Sequence, residues 1–92
     1  MESENTIILK KPITAHGEEL KELTFREPTG KDIRKNGWPY TMAAGGSILL
    51  SGPAVAAYIQ DLAGVNPAAV DSMHPTDVNT AGWKIAGFFL AD

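Results

Sequence analysis

The stretch Leu23-Thr24-Phe25-Arg26-Glu27-Pro28-Thr29-Gly30-Lys31-Asp32-Ile33-Arg34-Lys35 changes its local grammar part-way through, and that change decides the fold. Before Pro28 the hydrophobic period is two: Leu23 and Phe25 share one face, while Glu22, Thr24 and Arg26 share the other, as in a half-buried strand. Pro28 ends that strand, because proline brings no N–H to a ladder. Thr29 is then an N-cap type of residue, and Asp32 falls three positions later, near the capping-box spacing although Glu or Gln is preferred there. A short helix over Gly30 to Lys35 is predicted, closed by Asn36-Gly37.

Working outward toward the N-terminus, TIILKK (Thr6 to Lys11) is β-branched at its start and halted by Pro12, so it reads as a second strand. The segment ITAHGEE, with Gly17, joins it to KELTFRE as a β-hairpin. A hairpin alone is marginal and needs a helical layer behind it. Residues 1–5, MESEN, read as a frayed tail.

Toward the C-terminus, Trp38-Pro39-Tyr40 makes a rigid aromatic loop, and from Asn36 to Gln60 no residue is charged. That run is long enough to cross a bilayer. Within Tyr40 to Ile59, however, Gly45, Gly46, Ser47, Ser51, Gly52 and Pro53 dilute the aliphatic residues, which favours a glycine-rich loop or short helix instead. A helix then runs from Pro53 to Ala63, with Ser51 or Gly52 near its cap and Gly64 at its end. Asn66-Pro67 opens the short helix AAVDSM, and His74-Pro75 opens a longer one, TDVNTAGWKIAGFFLA. In that last helix Val78, Gly82, Ile85 and Phe89 form a stripe flanked by Ala81 and Phe88. The reading is one α+β domain over residues 1–92, an N-terminal β-hairpin followed by about four packed helices.

Ninety-two residues suffice to bury a core without metal or disulfide. A net charge of −3, with eight scattered Lys and Arg, gives no basic footprint for nucleic acid. The absence of cysteine removes disulfides and thiolate zinc sites, in keeping with a reducing cytosol, and the acidic N-terminus lacks the form of a signal peptide. Charge is also unevenly spread. After Lys35 only Asp61, Asp71, Asp77, Lys84 and Asp92 are charged, well below the usual quarter or so of residues. A surface that poor in charge tends to be covered.

No catalytic pattern emerges. Gly45-Gly46-Ser47 lacks the G-x-S-x-G form, no phosphate loop or dinucleotide fingerprint is present, and His16 and His74 sit in loops without further ligands at metal spacing. No cofactor or metal is expected, and both histidines are expected to face solvent. For Trp38 to Tyr40 two readings stand, a recognition patch or a plug in which Trp38 fills the gap between hairpin and helices. Likewise Glu27 to Asp32 is either a docking loop or simply a capped strand-to-helix turn.

Taken in order, the strand TIILKKPI, the motif Leu23-Thr24-Phe25-Arg26-Glu27-Pro28-Thr29 running into Asp32 and Arg34, the helix openings at Pro67 and Pro75, and the final Phe88-Phe89 resemble the tail assembly chaperone family of contractile-tailed bacteriophages and prophages, the tail protein E-like group. The likeness covers nearly the whole chain, and the WPYTMAAGGSILLSGP segment departs from it. The resemblance implies a non-catalytic morphogenesis factor of the host bacterial cytoplasm, absent from the mature virion, that coats the tape-measure protein until tube subunits polymerise around it.

On that reading Arg26, Glu27, Pro28, Thr29 and Asp32 are a structural motif, while Trp38, Tyr40, Ile85, Phe88, Phe89 and Leu90 are candidate partner contacts. Self-association through the charge-poor half is expected, as head-to-tail rings or spirals. The resemblance also implies a programmed frameshift: Phe88-Phe89-Leu90 can be encoded by a slippery TTT TTT TTG, giving a longer product able to recruit the tail tube protein. A buried helix terminus explains the same three residues equally well. The alternative from another class is a small phage membrane protein of holin type, spanning at 40–59.

Overall fold

The computed structural model describes residues 5–90. These form β1 (Thr6–Ala15), β2 (Glu18–Thr24), α1 (Gly30–Asn36), β3 (Tyr40–Met42), β4 (Ile48–Leu50), α2 (Gly52–Ala63), α3 (Pro67–Asp71) and α4 (Pro75–Leu90). An N-terminal antiparallel hairpin followed by four helices is the α+β domain that the sequence leads one to expect. A second hairpin, β3–β4, forms its own two-stranded sheet and has no counterpart in the sequence reading.

The β1–β2 hairpin turns at His16 and Gly17, whose φ angles of 55° and 76° are both positive. This is the two-residue geometry whose twist matches that of the flanking strands. Pairing of Ile7 with Leu23 and of Ile13 with Leu20 directs Ile7, Ile13 and Leu23 inward. Contrary to expectation, β1 does not stop at Pro12. Between the pairs Ile8–Glu22 and Ile13–Leu20 its chain makes a long bulge, opposite Lys21 alone, and within a bulge the missing N–H of Pro12 breaks no ladder bond. The freed N–H groups find another partner. Those of Lys10 and Lys11 donate to the carboxylate of Asp77 in α4, at 2.9 and 3.0 Å from Lys10 and 3.1 Å from Lys11. Asp77 is 2% exposed, a buried carboxylate whose hydrogen bonds come from backbone 66 and 67 positions away.

The ladder also reaches one residue further than expected, because the Asn5 carbonyl accepts the Phe25 N–H at 2.9 Å. The expectation of a frayed tail therefore fails at Asn5, and residues 1–4 lie outside the described residues. At the other end of β2, the Arg26 N–H donates to the Leu62 carbonyl at 3.0 Å and ties the hairpin to the end of α2. Phe25, Val55, Tyr58, Ile59 and Ile85 are fully buried where the hairpin's inner face meets α2 and α4. Each such side chain contributes about 1.5–3 kcal/mol of burial.

The helix boundaries follow their caps. Ser51 precedes α2 with Pro53 in its first turn, and Gly64 ends it in the left-handed conformation, φ 71° and ψ 33°. Asn66 Oδ1 accepts the Ala69 N–H at 3.1 Å and caps α3. His74, expected only to face solvent, is exposed but accepts the Thr76 N–H on Nδ1 at 3.1 Å, so it caps α4. His16 is likewise exposed yet bonded, its Nε2 lying 2.8 Å from the Gly64 carbonyl.

Residues expected to form a glycine-rich loop or short helix are the β3–β4 hairpin. Gly45 and Gly46, both at φ 90°, make its turn, and the Ala43 N–H donates to the Ser47 carbonyl at 2.8 Å. Leu50 of this hairpin presses on Gly82 of α4, where an added Cβ would lie 2.8 Å from Leu50 Cδ1. The 40–59 segment is thus a hairpin followed by the start of α2. Among the described residues no helix is long and apolar enough to cross a membrane.

Candidate partner-binding surface

The strand-to-helix motif is held from within. Both guanidinium nitrogens of Arg26 reach Asp32, Nη1 to Oδ2 at 2.9 Å and Nη2 to Oδ1 at 3.0 Å, and the Thr29 N–H donates to Oδ2 at 2.8 Å. The Arg26 hydrogen bonds, together with those from Thr29 and against the opposing effect of burial, hold the Asp32 carboxyl down at about 2 from its ordinary 3.8. Arg26 Nη1 also donates to the Glu27 carbonyl at 3.2 Å. Arg26, Thr29 and Asp32 therefore bind one another across the bend at Pro28.

That bracket sets the direction of α1, and three further bonds position the chain that leaves it. Asn36 Nδ2 and Lys35 Nζ donate to Asp61 of α2, at 2.8 Å and 3.2 Å, and the Tyr58 hydroxyl donates to the Gly37 carbonyl at 2.6 Å. The hydrogen bond from Asn36 outweighs burial and lowers the Asp61 pKa, while burial raises that of Tyr58. Gly37, at φ 74°, then swings Trp38-Pro39-Tyr40 over the end of α4.

There an aromatic cluster forms around Phe89. Its ring centroid lies 5.7 Å from that of Trp38 and 5.6 Å from that of Tyr58, both edge-on, and 6.5 Å from that of Tyr40. Such contacts add about 0.5–1.5 kcal/mol each beyond burial. Phe89 thus joins the core, through Tyr58, to a surface where Trp38 stays 56% exposed. Pro39, not Trp38, is the buried member of the loop, so Trp38 is not a plug between hairpin and helices.

Of the six candidate contacts, Trp38, Tyr40 and Phe89 are brought together, with Leu90 exposed next along α4. Phe88 is half-buried on a different side. With Trp83, Gly87, Thr80, Lys84, Glu27 and Asn5 it lines an open groove of about 610 Å³. Ile85 has no exposed surface, so as a contact residue it is corrected to a core residue. Sequence reasoning missed Met42, Leu49 and Trp83, all large, apolar and exposed. Trp83 could have been found on the helical wheel, where it lies off the Val78–Gly82–Ile85–Phe89 stripe. Met42 and Leu49 gave no signal beyond the absence of charge around them.

Among the described residues no group of three His, Cys, Asp or Glu is placed to hold a metal ion. What the surface offers is exposed aromatic and aliphatic side chains on a rigid base. A family model described as phage tail assembly chaperone proteins, E, or 41 or 14, matches residues 6–90. The chain belongs to this family of tail assembly chaperones. No curated protein and no solved structure matches it. The family match takes in both hairpins and all four helices, including the segment that departs from the resemblance in its sequence.

Proposed function

We propose that this tail assembly chaperone acts without catalysis, binding the tape-measure protein and keeping its apolar surface out of water during tail morphogenesis. The observation that carries the reading is the aromatic cluster: Trp38 and Leu90 are exposed, and Tyr40 and Phe89 lie with Trp38 on a base fixed by Tyr58. Large, rigid aromatic side chains are the usual anchors of protein interfaces. The acid that borders the region, Asp61, is paired with Lys35 and Asn36. The same reading places the protein in the host cytoplasm and outside the mature virion. It includes self-association of the chaperone and recruitment of tail tube protein by a frameshifted longer product.

Co-expression with the neighbouring tape-measure protein, followed by pull-down, tests the proposal. Replacing Phe89 would be ambiguous, because Phe89 also packs on buried Tyr58. The double variant Trp38→Ser, Leu90→Ser removes the most exposed members and leaves the Phe89–Tyr58 contact in place; it should stay folded while retention of soluble tape measure falls at least tenfold, roughly the loss of one binding hot spot. Undiminished retention would reject the aromatic surface as the binding site.

A further inference from the structure

We propose that β3 pairs with the β3 of a second copy about a twofold axis through Thr41, forming a four-stranded sheet in the order β4, β3, β3, β4. The argument begins with backbone hydrogen bonds. Ala43 N–H to Ser47 carbonyl and Ser51 N–H to Pro39 carbonyl mark two bonded rungs of the β3–β4 ladder. Rungs alternate in an antiparallel pair, so Thr41–Leu49 is the bonded rung between them. The N–H and C=O groups of Tyr40 and Met42 consequently point away from β4, and among the described residues no hydrogen bond reaches them. A short edge is left with two outward donors and two outward acceptors.

A second copy satisfies all four. With the axis at Thr41, Tyr40 of each copy faces Met42 of the other, and each facing pair exchanges two hydrogen bonds. Thr41 then faces Thr41 in a non-bonded rung, a favourable cross-strand pair. On the helix side of the sheet the Met42 thioether meets the Tyr40 ring of the other copy. No other register of two such strands uses every outward group.

Charge selects the occupant. The chain carries −3 overall, so copies repel unless they meet where charge is absent, and the stretch from Asn36 to Gln60 has none. In a twofold pairing any charge on β3 would face itself or its near neighbour; β3 carries none. An uncharged edge has no means of attracting a strand of either sign; Pro39 flanks it, but in the Pro39–Ser51 rung its missing N–H faces β4, so the outward groups of Tyr40 and Met42 stay complete. With three residues a side, the association is weak by the standard of stable interfaces. It gives a definite surface to the self-association put forward above and replaces head-to-tail contact with a closed pair. It does not rest on the tape-measure reading, since it is tested on the purified chaperone alone.

The chain has no cysteine, so Thr41→Cys supplies a sole thiol. Across a non-bonded rung the two Cα atoms lie about 4.5 Å apart, within disulfide reach. Leu49→Cys is the control: it shares the outer face, but the two copies of β4 stand three strand spacings apart, about 14 Å. Under mild oxidant Thr41→Cys should form dimers at least tenfold faster than Leu49→Cys. Sedimentation of the unmodified protein should show mass rising with concentration, Thr41→Asp and Thr41→Lys should each abolish that rise, and an equimolar mixture of the two should restore it. Equal cross-linking rates, or oligomers that persist in Thr41→Asp, would overturn the pairing in favour of contacts elsewhere. A strict monomer whose Thr41→Asp variant loses tape measure would overturn it too, by assigning the edge to a partner's strand.

Discussion

The two hairpins of this chaperone handle exposed strand edges in opposite ways. Hairpin β1–β2, with strands of ten and seven residues, carries Lys10, Lys11, Glu18, Glu19, Lys21 and Glu22, holds Pro12 in a bulge, and has that bulge bonded to Asp77. Hairpin β3–β4, with strands of three residues each, carries no charge, no proline and no bulge, and leaves Met42 65% and Leu49 52% exposed. The first hairpin has the devices that keep a sheet edge from joining another chain. The second has none of these devices except the shortness of its strands, and it lies beside the aromatic cluster. One hairpin is built to close the domain; the other is free to meet something.

The largest expected effect that leaves the domain folded breaks the closed side. Asp77→Ala leaves the N–H groups of Lys10 and Lys11 without their partner inside the fold, which should cost about 3 kcal/mol in urea unfolding. NMR shifts of Met42 and Leu49 should hardly move in the native state. A loss below about 1 kcal/mol would mean that water replaces the carboxylate and that the bulge is not fastened there.

Next in size is the bracket that leads from the first hairpin into α1. Because the Asp32 pKa is depressed to about 2, its stabilisation is complete above its ordinary 3.8 and disappears as pH falls from there through 2. With Arg26 half exposed and its attraction partly screened by solvent, the amount is about 1–2 kcal/mol. Unfolding measured from pH 6 to pH 2 should show this loss in the native chain and little of it in Arg26→Gln. An identical pH profile for the two would remove Arg26 as its source.

Smaller still is the seat of the second hairpin on α4. Gly82→Ala gains about 1 kcal/mol of helix propensity, but its Cβ would meet Leu50 Cδ1 at 2.8 Å and Val55 Cγ2 at 3.3 Å, an overpacking of about 1–3 kcal/mol. A net loss of about 1 kcal/mol is expected, with altered Trp38 fluorescence, read in a Trp83→Phe background, as the hairpin shifts. A more stable variant with unchanged fluorescence would show that Leu50 simply turns aside. The smallest effect separates the two hairpins most sharply: Leu49→Lys should change stability by less than about 0.5 kcal/mol, as exposed sites do. Leu23→Lys, at a buried position of the first hairpin, should prevent folding.

The same contrast explains what was legible in the sequence. Leu23 and Phe25 alternate with polar neighbours, and Thr29, Asn66, Pro67, Pro75 and Gly64 punctuate the helices, so hairpin, α1, α2, α3 and α4 could be placed from local grammar alone. Pro12 misled because its place in a strand depends on a bulge, and the bulge depends on Asp77, far off in sequence. β3 and β4 were illegible because three residues cannot display a period of two, and the Ala43 to Ser47 turn looks like any small-residue loop. The candidate surface divided likewise. Trp38, Tyr40, Phe89 and Leu90 stood out as large apolar residues in a charge-poor region, but whether Ile85 or Trp83 faces out depends on how α4 is rotated against its neighbours.

The bond between Asp77 and the β1 bulge also has a meaning in time. A ribosome adding about 5–20 residues per second takes some 3–13 s to travel from Lys10 to Asp77, 67 positions later. Throughout that interval the first hairpin can form its turn but cannot fasten its bulge, whose N–H groups remain with water. The uncharged stretch from Asn36 to Gln60 is also synthesised before Asp77 arrives. The nascent chain therefore passes through a period with its most sociable segment made and β1 unlatched. Completion of the fold falls to one carboxylate that the ribosome adds 67 positions after the strand it fastens.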